Sequence, residues 1–297
     1  MYGVNVTSTR TQLRDQGPTG VARRRHRISD AETEQRMLEA ALALVESQGL
    51  TVSLDHVSLE NVIARADVSR SSAYRRWPYK DLFLADLLVA VARDTDLTIE
   101  PPGLVDELRA LIASADLSDA QARRDLLIEA LRVSSASEFE RIWLSPRWRT
   151  YLALSATVTG LPAGPIREAA AAAVLGAERR FASRRAGVYR NLAAMIGYRI
   201  SGGLDAEAGF EFMASTSGAV MTGYVVKALV DEQLATATRG LAAFGSTKTA
   251  EWNVPTYGLT AVFNAFLEPD PDAEWTPDAI AARRRMWEQT ADTMYAP

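Results

Sequence analysis

The sequence predicts an all-α fold: an N-terminal helix-turn-helix unit followed by a larger helical unit. Three observations predict it. Apolar residues recur at the 3.6-residue period between recognisable caps, and no sustained period-two run rich in β-branched residues interrupts them. The chain has 297 residues, enough for two domains at about 150 each. Two apolar helical segments near the N-terminus are joined by a break of only two residues, Asp67-Val68, the tight connection of a helix-turn-helix.

Residues 1–28 are polar, aperiodic and punctuated by Gly3, Pro18 and Gly20, which predicts a flexible basic arm. Ser29 and Glu32 then form an S-x-x-E capping box. Leu38, Ala41, Leu42 and Val45 follow at i, i+3, i+4 and i+7, and Gly49 supplies a stop, predicting a first helix over 30–48. A second helix starts after the cap Ser58 and buries Leu59, Val62, Ile63 and Ala66. Ser69 caps a third, with Val68 before the cap and Ala73 after it at hydrophobic-staple spacing. Pro78 ends the third helix at Trp77. A fourth runs from Lys80 to Thr95, carrying Leu82, Phe83, Asp86, Leu87 and Ala90. Pro101, Pro102 and Gly103 mark a boundary, so residues 29–96 and 103–297 are read as the two units. Further helices are expected at 103–115, 119–135, 137–158, 166–201, 205–235, 256–268 and 277–294. The last has Thr276 as cap, Pro277 at its first position and Asp278 against the positive end of its dipole.

Composition removes several classes of chemistry. There is no cysteine, so disulfide scaffolds, zinc ribbons, iron–sulfur centres and thiol catalysis are excluded. The two histidines, His26 and His56, both lie in polar segments, and neither a metal site nor a cofactor is expected. No G-x-S-x-G, Walker A, G-x-G-x-x-G or H-E-x-x-H pattern occurs, so an enzyme is not expected. The first twenty residues lack the apolar run of a secretory leader. The longest charge-free stretches, 150–166 and 212–226, fall short of the ~20 apolar residues that span a bilayer. A cytoplasmic protein with no membrane partner is therefore expected.

The net charge of −4 is unevenly divided. Residues 21–27, which contain Arg23, Arg24, Arg25 and Arg27, carry +4, and residues 65–80 carry another +4, leaving −12 elsewhere. Two basic islands on an acidic chain are the footprint of a nucleic-acid reader, or else two solvated charged faces. The arm could follow a DNA backbone or enter a minor groove, and a merely disordered tail is the alternative.

The stretch VSLENVIARADVSRSSAYRRWPYKDLF resembles the DNA-binding signature of the TetR family of bacterial regulators. The matching positions are Ser58, Leu59, Val62, Ile63, Ala66, Val68, Ser69, Tyr74, Trp77, Pro78, Lys80, Leu82 and Phe83, and the likeness extends over about 29–95. Asp67 stands where glycine is usual, Trp77 where phenylalanine is common, and Tyr79 where a small cap is usual. An aspartate tolerates positive φ, so the turn is expected to survive. Asp81 partly offsets the missing cap.

On the third helix, Arg70, Ser71, Tyr74 and Arg75 fall within an arc of about 140°, while Ala73 and Trp77 lie on the flank that packs inward. Arg70 and Arg75 are candidates for guanine edges and Ser71 for a neighbouring base. The resemblance implies phosphate contacts by Tyr74 and Lys80. Ser58 and Ser72 join them through hydroxyl or helix-end amide contacts, and Arg76 through a flanking phosphate. For each arginine the alternative is a solvated charge or a pair with a local acid.

The resemblance also implies that the C-terminal unit forms a homodimer and encloses a cavity for a small-molecule effector. The expected function is a transcriptional repressor that a ligand releases from a palindromic duplex DNA operator. The alternatives are a sequence-indifferent or architectural DNA binder and, behind it, an enzyme with an incidental helix-turn-helix. Ser215, Ala219 and Gly223 recur every four residues, a candidate dimer seam or an ordinary intrachain packing stripe. Ile280, Trp287 and Met294 form a second candidate seam. Trp143, Trp148, Tyr151, Phe181, Tyr189, Met195 and Tyr198 are candidate pocket residues or simply core. Arg132 and Arg199 are candidates for neutralising an acidic effector, or surface charges. The arm and the length after residue 235 have no functional assignment.

Overall fold

A computed structural model describes residues 28–48, 57–94 and 103–294. The arm, Gly49, His56, Thr95 and the Pro101-Pro102 pair lie outside the described residues. In chain order the elements are α1 (Asp30–Gln48), α2 (Leu59–Arg65), α3 (Arg70–Arg76), α4 (Lys80–Asp94), α5 (Leu104–Ser114), α6 (Ala120–Leu144), α7 (Pro146–Gly160), α8 (Pro165–Met195), β1 (Tyr198–Ile200), α9 (Ala206–Ala228), α10 (Gln233–Thr236), β2 (Arg239–Leu241), β3 (Ala250–Trp252), α11 (Val254–Phe266), β4 (Leu267–Pro269) and α12 (Pro277–Met294). The fold is overwhelmingly helical, as the sequence predicts. No helix among the described residues is long and apolar enough to cross a membrane.

Caps act where their residue types indicate. Ser29 Oγ accepts from the Glu32 amide at 3.1 Å, Ser69 Oγ from Ser72 at 3.1 Å, and Thr276 Oγ1 from Ala279 at 3.2 Å. Each satisfies an amide that the first helical turn leaves unpaired.

Three expected boundaries are corrected. The serine-rich stretch near 136 does not divide two helices, because α6 runs through it to Leu144 with Val133, Ser135 and Phe139 buried. Burial of that face outweighs the weak helix preference of serine. The break falls instead at Ser145, which caps α7 and is followed by Pro146 at the first helical position, where no amide is needed. The helix expected over 166–201 stops at Met195. Gly197 follows at φ 68°, and a Cβ there would collide with the Trp275 ring. The helix expected over 205–235 ends at Ala228, with short α10 beyond it.

Four three-residue strands depart from the all-helical expectation. β1 pairs antiparallel with β4, and β2 with β3. Three residues give too little alternation to read from sequence.

The β2–β3 hairpin is fastened to α6 by polar contacts. Asp125, 6% exposed, accepts from Thr247 N at 2.8 Å, Thr247 Oγ1 at 2.6 Å and Gln121 Nε2 at 3.0 Å. Arg124 donates to the Phe244 carbonyl and to Asn264 Oδ1. Burial pushes the Asp125 carboxyl up, but the bonds from Thr247, Gln121 and Ser246 outweigh it and hold it at about 2, against an ordinary 3.8. A depressed carboxyl stabilises the fold above its unfolded value and loses that contribution as pH falls. Asp125 is therefore expected to contribute roughly 2 kcal/mol at neutral pH, lost between pH about 4 and about 2. Denaturant titrations of Asp125→Asn against the parent chain check this: the stability gap should be full at pH 7 and narrow across that window.

Two hydrophobic clusters organise the molecule. One joins α1 through α4 around Met37, Leu44, Val62, Trp77, Phe83 and Leu87. The other gathers α5, α6, α8, α9, α11 and α12 around Leu108, Phe139, Met213, Leu259 and Trp287. Helix α8 belongs to both. Ala170, Ala173 and Val174 near its start pack with the first cluster, and Ala186, Ala193 and Met195 near its end with the second. At 1.5 Å per residue it spans about 46 Å.

Candidate nucleic-acid interface

The turn between α2 and α3 depends on one unusual backbone conformation. Asp67 takes φ 50°, the left-handed region that aspartate tolerates better than most residues. Val68 and Ala73, expected as a staple, are both buried. Helix α3 is held by one flank. Ala73 is fully buried, and Trp77, just past its end, has 0% exposure. Trp77 meets Phe83 edge-on at 5.2 Å, and its Nε1 donates to Asp86 at 2.8 Å.

The opposite edge of α3 carries the predicted contact residues to solvent. Arg70, Ser71, Tyr74 and Arg75 are all exposed. Ser69, Ser71 and Ser72 form a hydroxyl cluster, with Ser69 Oγ 3.1 Å from Ser71 Oγ and donating to Ser72 Oγ at 2.9 Å. Ser58 is exposed and accepts from the Asn61 amide at 3.5 Å, capping α2. Lys80 is exposed and paired with no acid among the described residues. Arg23, Arg24, Arg25 and Arg27 lie outside those residues.

The charged groups of α3 are not free. Arg70 Nη2 lies 2.8 Å from Glu60 Oε2, and the Tyr74 hydroxyl donates to Glu60 Oε1 at 2.9 Å. That bond to a carboxylate raises the Tyr74 phenol above its ordinary value. Arg75 pairs with Asp30 at the start of α1. Arg76 is shared between Glu34 at 3.1 Å and Asp86 at 3.0 Å, with its guanidinium over the Trp77 ring. Arg76 thus braces α3 against α1 and α4. Pairing with a local acid is the expected alternative for each arginine, and the acids that fill that role are Asp30, Glu34, Glu60 and Asp86. Arg75 and Asp30 are 45 positions apart, so no local spacing could signal the pair.

The predicted pocket residues divide between two hollows. Tyr189 and Met195 line a small hollow of about 60 Å³ among α5, α6, α8, α9 and α11. Trp148, Tyr151 and Phe181 line an open cleft of about 790 Å³ between α7, α8 and α9. Trp143, stacked on Phe139 at 6.2 Å, and Tyr198, buried in β1, line neither. Arg132 pairs with Glu129 at 2.6 Å and Arg199 with Glu268 at 2.9 Å, and neither lines these hollows.

Ser215, Ala219 and Gly223 are exposed along α9, whose inward face is instead Phe210, Met213, Ser217, Met221 and Val225. Ser215 and Ala219 also line the cleft between α7, α8 and α9. Phe212, at 59% exposure, extends the same outward face. On α12, Trp287 is buried within the chain's own core and Ile280 packs against it, while the Met294 side chain lies outside the described residues.

No family model matches the chain. It is similar to proteins named as uncharacterized HTH-type transcriptional regulators from two strains of Mycobacterium tuberculosis. Each is 30% identical over 167 residues, covering 56% of this chain and 77% of the relative. A protein of the same description from Mycobacterium bovis is 30% identical over 171 residues, with the same coverage of each chain.

Proposed function

The chain belongs to the HTH-type transcriptional regulators, and on that premise we propose that it is a sequence-specific DNA-binding regulator of the TetR type. The observation that carries this reading is the asymmetry of α3. Ala73 and Trp77 lock one flank into the core, and the other edge exposes cationic and hydroxyl groups. A recognition helix in a major groove needs that arrangement.

Arg70, Ser71 and Arg75 are the proposed base readers. Ser58, Ser72, Tyr74 and Lys80 are the proposed phosphate contacts, with Arg76 at the margin. Residues 29–96 would form the DNA-reading unit, and residues 103–297 the effector and dimer unit. The exposed face of α9 is the proposed seam of a homodimer, which would present two copies of α3 to a near-palindromic operator.

The cleft at Trp148, Tyr151 and Phe181 is the proposed effector site. Its volume falls in the range that small ligands occupy. Because α8 lines this cleft and also packs on the α1–α4 cluster, a ligand that displaces α8 would alter how the two copies of α3 are spaced. Only a ligand with different affinities for the two arrangements could release DNA, making the protein a repressor.

Arg75→Ala is expected to cost about 1–3 kcal/mol in operator binding and to relax preference at one base position. Fluorescence anisotropy on an operator and its single-base variants measures both. Unchanged affinity and unchanged preference would remove Arg75 from the base readers.

A further inference from the structure

We propose that Glu60 and Asp30 set the specificity of this DNA-reading surface by holding its two base-reading arginines against non-specific contact with phosphates. This rests on the reading of α3 given above. Along the sequence, residues 65–80 carry +4, yet in the folded chain three of their four arginines lie against carboxylates from α1, α2 and α4.

Glu60 uses both oxygens, one on Arg70 and one on Tyr74. Asp30 takes Arg75. All five side chains are exposed, so these pairs add little to folding. Their effect falls on DNA instead.

Non-specific affinity comes from cations that neutralise phosphates and release counterions. A guanidinium that already holds a carboxylate neutralises no additional phosphate. Moving it to the backbone would strand an acid beside a polyanion. A guanine edge offers what a phosphate cannot, two acceptors matched to the guanidinium fork. The carboxylate can meanwhile retain the rest of the fork and fix its direction. Glu60 and Asp30 are thus positioning residues: they suppress binding to any sequence and orient Arg70 and Arg75 toward the right one.

The test uses the full chain with Glu60→Gln, Asp30→Asn and both together. Asp278→Asn, exposed at the start of α12, a helix that packs on α5 and α8, controls for total charge. The probe is a 30-base-pair duplex of scrambled sequence, titrated at several salt concentrations, beside a duplex selected by the parent chain from a random pool. Each substitution at α3 is expected to tighten scrambled-duplex binding about three- to tenfold at low salt. Each should also steepen the logarithmic salt slope by about 0.9, the value of one further phosphate contact. The selected duplex should gain less, so the ratio between the two narrows, while Asp278→Asn changes neither slope nor ratio.

Parent-like affinity and slope in the double variant would overturn the proposal. So would equal weakening on both duplexes, which would assign the acids to holding α2 and α3 together. A parent chain that binds neither duplex overturns the reading of α3 itself, and a bound parent with unresponsive variants overturns only the role of the acids.

Discussion

Replacing Arg185 with alanine is expected to destabilise the chain by about 3–5 kcal/mol, because it leaves a charge without its partner in the interior. Arg185 is 8% exposed and donates to Glu138 Oε2 at 2.8 Å, while its Nε donates to the Tyr189 hydroxyl at 2.6 Å. The guanidinium also lies about 5 Å from the Phe181 and Tyr189 ring centres. Burial pushes the Tyr189 phenol upward, so it stays protonated and free to accept from the guanidinium. Without Arg185, the Glu138 carboxylate would stand in the wall of the small hollow facing mostly aliphatic side chains. Replacing both members together, as Arg185→Met with Glu138→Leu, is expected to recover most of the loss. Denaturant unfolding of the two variants checks the pair. A single variant within 1 kcal/mol of the parent would mean that Glu138 is well solvated without Arg185.

The second large effect belongs to the anchor of α3. Trp77→Ala removes a fully buried indole and is expected to cost about 3–5 kcal/mol. The loss falls on the α1–α4 cluster, so DNA binding should disappear. Trp77→Phe keeps a ring against Phe83 and forfeits the bond to Asp86, a loss of about 1 kcal/mol. It should retain DNA binding. Circular dichroism melting and anisotropy on the two variants separate these cases. DNA binding that survives Trp77→Ala would show that the buried flank does not position α3.

What the sequence reveals here is local. Ser29, Ser69 and Thr276 announce helix starts because their partners lie three residues away, within the same turn. Asp67 announces a left-handed turn because few other side chains tolerate one. Ala73 and Trp77 announce the buried flank because helical periodicity links them. The signal fails where partners are distant. The charge island over 65–80 reads as basic only until Asp30, Glu34, Glu60 and Asp86 fold onto it. The serines near 136 read as a break because their preference is weak, whereas the burial that overrides it comes from other helices. Likewise the seven aromatic and methionine candidates carry one chemistry, and only the packing of α6 through α11 distributes them between a cavity, a cleft and the core.

Whether α3 selects a sequence is open to a single direct measurement. The purified chain would be used to enrich duplexes from a random pool, and the winner compared with its scrambled counterpart by anisotropy at several salt concentrations. A near-palindromic winner bound at least about 10³-fold more tightly than the scramble is expected, with that ratio reduced in Arg70→Ala and Arg75→Ala. A pool that converges on no sequence, with both duplexes bound equally and steeply weakened by salt, would contradict it and leave only contacts to phosphates.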